Sequence, residues 1–125
     1  MLTAGEDILV DMLASCPTAD YRRDGASIAA AHARLGHTHA RTNDADGFAI
    51  HVRFTDFLLL AADFPANFEP EVGDVIWHFS TPHLVAAIDG EPCWLWHTRQ
   101  SRRVLRVHTR VISANHPAAG ATPPP

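Results

Sequence analysis

Val72-Gly-Asp-Val-Ile-Trp77 is followed by a polar break at Ser80-Thr-Pro-His83, then Leu84-Val-Ala-Ala-Ile88, then a second break at Asp89-Gly-Glu-Pro92. Cys93-Trp-Leu-Trp96, an Arg-rich connection and Val104-Leu-Arg-Val-His-Thr-Arg-Val-Ile112 complete the stretch. Short apolar segments separated by turn residues are the pattern of an antiparallel meander. Strands are expected from Val75 to Phe79, from Leu84 to Ile88, from Trp94 to His97 and from Val104 to Ile112. In the last of these Val104, Arg106, His108 and Arg110 share one face, and Leu105, Val107, Thr109 and Val111 the other. The first face is expected to be wet or to meet a partner.

The pattern continues upstream. Phe48, Ile50, Val52 and Phe54 alternate with Ala49, His51 and Arg53, as in a half-buried strand. Phe57 to Ala62 gives a second strand, hinged at Thr55-Asp56. Tyr21-Arg22-Arg23 reads as a short strand that ends in an Asp24-Gly25 turn. The alanines of Ser27 to Leu35 favour helix by propensity, but alternation also suits a strand, and strands flank the segment; strand is preferred. At the N-terminus, Thr3 to Ala14 reads as a short helix capped by Thr3 with Glu6 three residues on, striped by Ile8, Leu9, Met12 and Leu13, and stopped by Pro17. Gly36 to Asp46 has no apolar residue larger than Ala. It is read as a long polar loop projecting His37, His39, Arg41, Asp44 and Asp46. Ser113 to Pro125 is a Pro/Ala-rich tail that builds no core and is either disordered or laid against a neighbour. The fold expected is therefore mainly β: a small antiparallel barrel or sandwich with one short N-terminal helix, spanning residues 1–112, plus an extended C-terminal tail over 113–125.

The chain has 125 residues, enough for one domain with a real core. Its formal charge of −4 does not suit a generally basic nucleic-acid binder. The charge is uneven: residues 1–71 hold eleven acids and five arginines, residues 72–125 three acids and five arginines. Every basic residue is Arg, which makes planar, bidentate contacts to carboxylate and phosphate. Cys16 and Cys93 cannot form a disulfide framework, and both are expected as buried thiols. With Glu6, Asp7 and Asp11 and no positive n-region, no signal peptide is expected. The longest apolar run, Phe57 to Ala62, is far short of the roughly 20 residues that cross a bilayer. A soluble protein made in the cytoplasm, with no membrane contact, is expected.

Catalytic patterns are missing from the sequence. Neither Ser80 nor Ser101 sits in a Gly-x-Ser-x-Gly elbow, Cys93 is followed by Trp94 in an apolar segment, and Glu69 and Glu71 flank Pro70 in a loop. No Gly-rich loop cradles a phosphate. His37-Thr-His39 is the one close His pair, without a partnering Cys or a His-Glu-x-x-His spacing, so no metal or cofactor is expected. His78, His97 and His108 are read as rim or surface residues. Of Trp77, Trp94 and Trp96, two are expected in the core, and an exposed one would mark a subunit interface. The stronger signal is Arg99, Arg102, Arg103, Arg106 and Arg110, five positive charges within twelve residues. They suit contact with DNA phosphate or an acidic protein rim; a solvated strand face balanced by the acidic first half is the competing reading.

Tyr21-Arg22-Arg23, Thr55-Asp56-Phe57-Leu58, Pro70-Glu-Val-Gly-Asp-Val-Ile76, Gly90-Glu-Pro-Cys-Trp94 and Leu105-Arg-Val-His-Thr109, in this order over residues 6 to 112, resemble the head–tail joining, or head-completion, proteins of tailed bacteriophages. The resemblance implies a mostly β neck protein of the virion. It would sit as a homo-oligomeric ring between the portal or an adaptor and the tail proteins, and help retain or pass the packaged DNA. It implies no gating residue and does not cover the tail. A tail-completion protein of the same particle is an alternative. So is a free small β-barrel binding nucleic acid through its aromatics and arginines, which would lose affinity steeply between about 50 and 200 mM salt.

Overall fold

Asp24 and Gly25 both have left-handed backbone angles, φ 53° and 79°. A two-residue turn of that kind has the twist that paired strands need. It joins strand β1 (Thr18–Arg23) to β2 (Ala26–Asn43), which pairs in turn with β3 (Ala49–Leu60). The computed structural model describes residues 4–43, 46–47, 49–88 and 91–119. Beyond β3 come β4 (Val75–His78), β5 (Thr81–Val85), β6 (Trp94–Trp96) and β7 (Val104–Val111); helix α1 (Ala4–Ala14) precedes them all. The β4–β5 turn is also a two-residue turn with both angles left-handed, but here the residues are Phe79 and Ser80, φ 48° and 66°.

The sheet runs β3-β2-β1-β4-β5-β7 and closes by pairing β7 with β3, giving a six-stranded antiparallel barrel. Strand β6 continues the β5 edge of β7 through Trp94↔Val107 and Trp96↔Leu105. Closure removes the exposed edges that an open sheet would leave. Inside sit Ala19, Tyr21, Ala31, Ala33, Phe57, Leu59, Ile76, Val85, Leu105 and Val107, each at most 3% exposed. The alanines of β1 and β2 leave room for Tyr21 and Phe57, the large-against-small alternation of a narrow barrel. This decides the fate of the Ala-rich segment. Pairing on both sides and a barrel wall that needs small residues outweigh a helix preference of a few tenths of a kcal/mol per residue.

Outside the barrel two segments cover apolar strand residues. Leu13 of α1, with Leu9 and Val10, packs on Leu58, Leu60 and Val104. The segment after β7 crosses Val75 and Trp77, and the Trp77 indole N–H donates to the Ala119 carbonyl at 3.0 Å. The first part of the expected tail is thus seated on its own barrel, with Ala119 buried; residues 120–125 lie outside the described residues. Thr3 also lies outside them.

Four expectations are corrected. The long loop at 36–46 is strand as far as Asn43, pairing in register from Thr38↔Phe54 to Asn43↔Ala49. Beyond β1 and β7 these six pairs form a two-stranded ribbon that projects about 20 Å from one end of the barrel. A strand needs backbone pairing rather than large side chains, and β3 supplies that pairing. Asp44 lies outside the described residues, and Asp46 is in the connection. The hinge at Thr55-Asp56 is absent; β3 is continuous. The polar face of β7 is not simply wet: Val104 lies under α1 and His108 is buried at 2% exposure. Cys93 is buried as expected, but Cys16, just past the end of α1, is partly exposed.

At the end from which the ribbon leaves, the interior is closed by Phe57, His78 and His83, with the His83 ring 4.9 Å from Phe57 and 6.4 Å from His78. Burial, helped by His78, pushes the His83 imidazole down to about 4. Its Nδ1 has no hydrogen-bond partner among the described residues. A buried neutral histidine binds its proton more readily when unfolded, so this contribution to stability is present above about pH 6.5 and is lost as the pH falls toward 4. Equilibrium unfolding at a series of pH values should show about 3 kcal/mol of such loss in the native chain beyond that of His83→Phe. Parallel pH profiles for the two proteins would contradict it.

Candidate docking surfaces and the buried ion clusters behind them

Asp74 follows Gly73, whose φ of 97° turns the chain into β4, and is 2% exposed. A carboxylate so buried needs donors. The Tyr21 hydroxyl donates to Oδ2, and Arg23 donates from Nε to Oδ1 at 2.9 Å and from Nη2 to Oδ2 at 2.8 Å. The Glu71 amide adds a fourth bond at 2.9 Å. Arg23 also donates to the Glu69 carbonyl and lies over the Phe68 ring. Burial, then the bond to Asp74, raises the Tyr21 phenol; the bond to Asp74 raises the Arg23 guanidinium. Neither loses its proton near neutrality. Tyr21 meets Phe64 and Phe68 edge-on at 5.4 and 5.1 Å, and these two rings stack on each other at 4.3 Å. The assembly plugs the barrel end opposite the ribbon.

A second cluster locks the seam where the barrel closes. Asp56 of β3 is fully buried and directly opposite His108 of β7. It accepts from Arg106 Nε at 2.8 Å and lies 2.8 Å from His108 Nδ1. The Thr109 hydroxyl bonds to the Thr55 carbonyl one pair further on. Among the described residues His108 Nε2 has no hydrogen-bond partner, and the Glu91 carboxylate is 4.0 Å away. An Asp–His pair of this kind serves nucleophilic catalysis when a hydroxyl or thiol bonds to Nε2. Among the described residues none does. Burial raises the Cys93 thiol, away from thiolate chemistry. The two clusters draw a residue from each of the five segments that carry the phage resemblance: Tyr21 and Arg23, Asp56, Asp74, Glu91, and Arg106 with His108. These polar residues hold the barrel shut.

The arginines singled out in the sequence do not form one patch. Arg99, Arg102 and Arg103 lie in the β6–β7 turn, Arg106 is half-way along β7, and Arg110 is four residues further on, at the ribbon end. The turn is set by Thr98, whose hydroxyl accepts from the Arg103 and Val104 amides, and Arg102 has a left-handed φ of 52°. Arg103 makes an exposed pair with Asp7 at 3.3 Å, worth little in water. Arg106 is tied to Asp56. Arg99, Arg102 and Arg110 are exposed and form no ion pair with the described residues. Arg102 borders two adjoining hollows of about 280 and 360 Å³, one walled by Phe64, Phe68 and Trp96, the other by Val10, Leu60 and Ala62.

The ribbon end differs. His37, at the start of the ribbon, is exposed. Around the ribbon's base stand three exposed apolar side chains, Leu35 at 43%, Phe79 at 72% and Val111 at 58%. Sequence reading missed Phe79, because an aromatic residue in a left-handed turn position contradicts turn preferences. Trp77 is buried, whereas Trp94 and Trp96 are half-buried and meet edge-on at 5.4 Å. Among the described residues no three His, Cys, Asp or Glu converge in a metal-binding arrangement, and no helix is long and apolar enough to cross a membrane.

No curated protein and no solved structure matches the chain. One family does, described as phage head-tail joining protein, over residues 1–116. The match takes in α1, the whole barrel and the ribbon, and therefore both ion clusters. The chain belongs to the phage head-tail joining protein family.

Proposed function

We propose that the protein is a ring subunit of the virion neck. It meets the portal or an adaptor on one side and tail proteins on the other, and packaged DNA is held at or passes through the lumen. The observation that carries this reading is the chemical difference between the two ends of the barrel. One presents free arginines beside aromatic and apolar hollows; the other presents a projecting ribbon ringed by exposed apolar side chains. A joint between two unlike bodies needs two unlike docking ends, and a closed ring needs contacts between different faces of its subunits. The scatter of the arginines over both ends favours a neck part over a free nucleic-acid-binding barrel. The part is mechanical: buried ion pairs fix a rigid barrel, and the ribbon and ends make the contacts.

Arg99→Glu with Arg102→Glu tests the reading. Both side chains are exposed and outside the ion clusters, so the fold should survive, as read by circular dichroism and unfolding midpoint. Particles made with this variant should accumulate as full heads without tails, or heads that leak DNA, counted by electron microscopy. Normal yields of tailed particles would overturn the assignment of that end.

A further inference from the structure

Arg102 stands between two hollows at the barrel end opposite the ribbon; it and Ala61 line both. The first, of about 280 Å³, is walled by Phe64, Phe68, Trp96 and Leu105. The second, of about 360 Å³, lies beside α1 between Val10, Leu60 and Ala62. Asn67 lines the first and Arg103 the second; the lining is otherwise aliphatic or aromatic. Each is large enough for an apolar side chain. Arg102 has a left-handed backbone, φ 52°, which a residue with a Cβ adopts only at a cost. Its amide donates to the Thr98 carbonyl at 2.8 Å, and the Thr98 hydroxyl accepts from the next two amides. The turn thus fixes the base of the Arg102 side chain between the hollows before any partner arrives, which lowers the cost of binding there.

Arg99 and Arg102 form no ion pair with the described residues, whereas Arg103 has Asp7. A guanidinium between apolar walls holds a planar oxyanion by two hydrogen bonds, and exclusion of water strengthens them. Carboxylate and phosphate both satisfy that geometry. The surroundings separate the two. Asp7, Glu69 and Glu71 are exposed at the same end of the barrel. Duplex DNA carries one negative charge about every 1.7 Å along its axis, so a duplex laid here meets those carboxylates as well as the arginines. Its backbone also puts no apolar group into the hollows. A single carboxylate flanked by apolar side chains avoids the first conflict and fills the second need.

We infer that this end receives an acidic, apolar segment of a different virion protein. A carboxylate of that segment lies on Arg102, with Arg99 as a second donor, and apolar side chains on either side of it enter the two hollows. The arrangement reads position as well as charge. An acid without apolar neighbours leaves the hollows wet, and an apolar segment without the acid leaves Arg102 unpaired in the contact. Helix α1 of a second copy is acidic and apolar too, but Val10 of α1 itself lines the second hollow. A second α1 therefore enters only by bringing the same two surfaces face to face, a two-fold pairing that stops at two copies. The inference rests on the neck reading above and adds the chemistry of the partner at this end.

The chain has no lysine, so Arg102→Lys puts a single side-chain amine at this end and keeps the charge. Arg99→Lys does the same at a second position. A water-soluble carbodiimide condenses such an amine with a carboxylate in contact with it. Purified tailed particles carrying either variant are treated with the reagent and digested, and the joined peptides are read by mass spectrometry. The expected product is an amide between residue 102 and an Asp or Glu of a different virion protein, with aliphatic or aromatic residues close to it in sequence, and absent from native particles. Ala62→Trp or Ala66→Trp, at exposed positions that line the hollows, fills one of them without changing charge. Added to the same chain, either should cut the product about tenfold or leave heads without tails. An undiminished product would overturn the part given to the hollows. A product formed only with a second copy of this chain, or only with its own Asp7, would overturn the inference. So would formaldehyde coupling of the amine to DNA in place of a protein product. Particles that contain the chain but give no product from either variant would overturn this contact and leave the neck assignment standing. Complete particles that contain no copy of the chain would overturn the neck assignment itself.

Discussion

Asp74→Ala should lower the stability of the protein by about 3–5 kcal/mol, the usual consequence of removing one member of a buried, hydrogen-bonded ion pair. Four donors converge on this carboxylate, from the Tyr21 hydroxyl, two Arg23 nitrogens and the Glu71 amide. Its loss leaves the Tyr21 hydroxyl without a partner inside the barrel end, where Phe64 and Phe68 exclude water. It also frees Arg23, whose side chain is 29% exposed and turns to solvent at modest cost. Most of the penalty therefore comes from the unpaired hydroxyl and the lost anchor of the turn before β4. Asp74→Asn should cost less, about 2 kcal/mol, because an amide oxygen still accepts from Tyr21 but cannot take Arg23 on two oxygens. Tyr21→Phe should cost only about 1 kcal/mol, since three donors to the carboxylate remain. For a domain with a total stability of about 5–15 kcal/mol the first change removes about a fifth or more. Urea unfolding monitored by tryptophan fluorescence measures all three. Equal midpoints for Asp74→Ala and Tyr21→Phe would show that the cluster is not the lock described here.

How much of this was legible in the sequence depends on how far apart the interacting residues lie. The strand expected from alternation over Val104 to Ile112 is present as Val104–Val111, because a barrel wall with one dry face imposes a period of two. The first half of the ribbon reads as a loop in the sequence because Thr38 to Asn43 offers no large apolar residue. Its strand character comes from pairing with Ala49 to Phe54, a relation no window over either half contains. The arginine cluster looked continuous for the opposite reason. Neighbours in sequence were taken as neighbours in space, yet β7 carries Arg106 to a buried partner fifty residues away and Arg110 to the far end of the barrel. One signal was available: Asp56 stands alone among Phe54, Phe57, Leu58, Leu59 and Leu60, and an acid in such a run must find a donor elsewhere in the chain. Phe79 gave no comparable signal, since its turn places it where glycine or asparagine is expected.

Asp56→Ala should also cost about 3–5 kcal/mol, and its consequences differ in kind because Asp56 sits on the closing seam. Arg106 and His108 both lie on β7, and both bond across the seam to this one carboxylate of β3. Without it, His108 Nδ1 loses the carboxylate it is bonded to inside the seam, and among the described residues Nε2 has no hydrogen bond to hold the ring. The guanidinium of Arg106, 26% exposed, turns outward at smaller cost. His108→Leu in the native background should strand less charge, because Arg106 still neutralises Asp56. The double variant Asp56→Leu, His108→Leu removes the buried polar atoms together and should recover at least about 2 kcal/mol relative to the sum of the single changes. Hydrogen exchange distinguishes this cluster from the one around Asp74. Loss of Asp56 should speed exchange at the amides pairing Thr55–Leu60 with Val104–Thr109, whereas β1, β2 and β4 keep their protection longer. The barrel would open at β3–β7, and the ribbon, as the continuation of β2 and β3, would lose its fixed direction relative to the exposed apolar rim. Neck assembly should therefore fail at temperatures below the unfolding midpoint of Asp56→Ala, with heads that package DNA but do not take tails. Tailed particles in normal number from Asp56→Ala, at a temperature where seam protection is measurably lost, would show that the seam does not set the ribbon's direction.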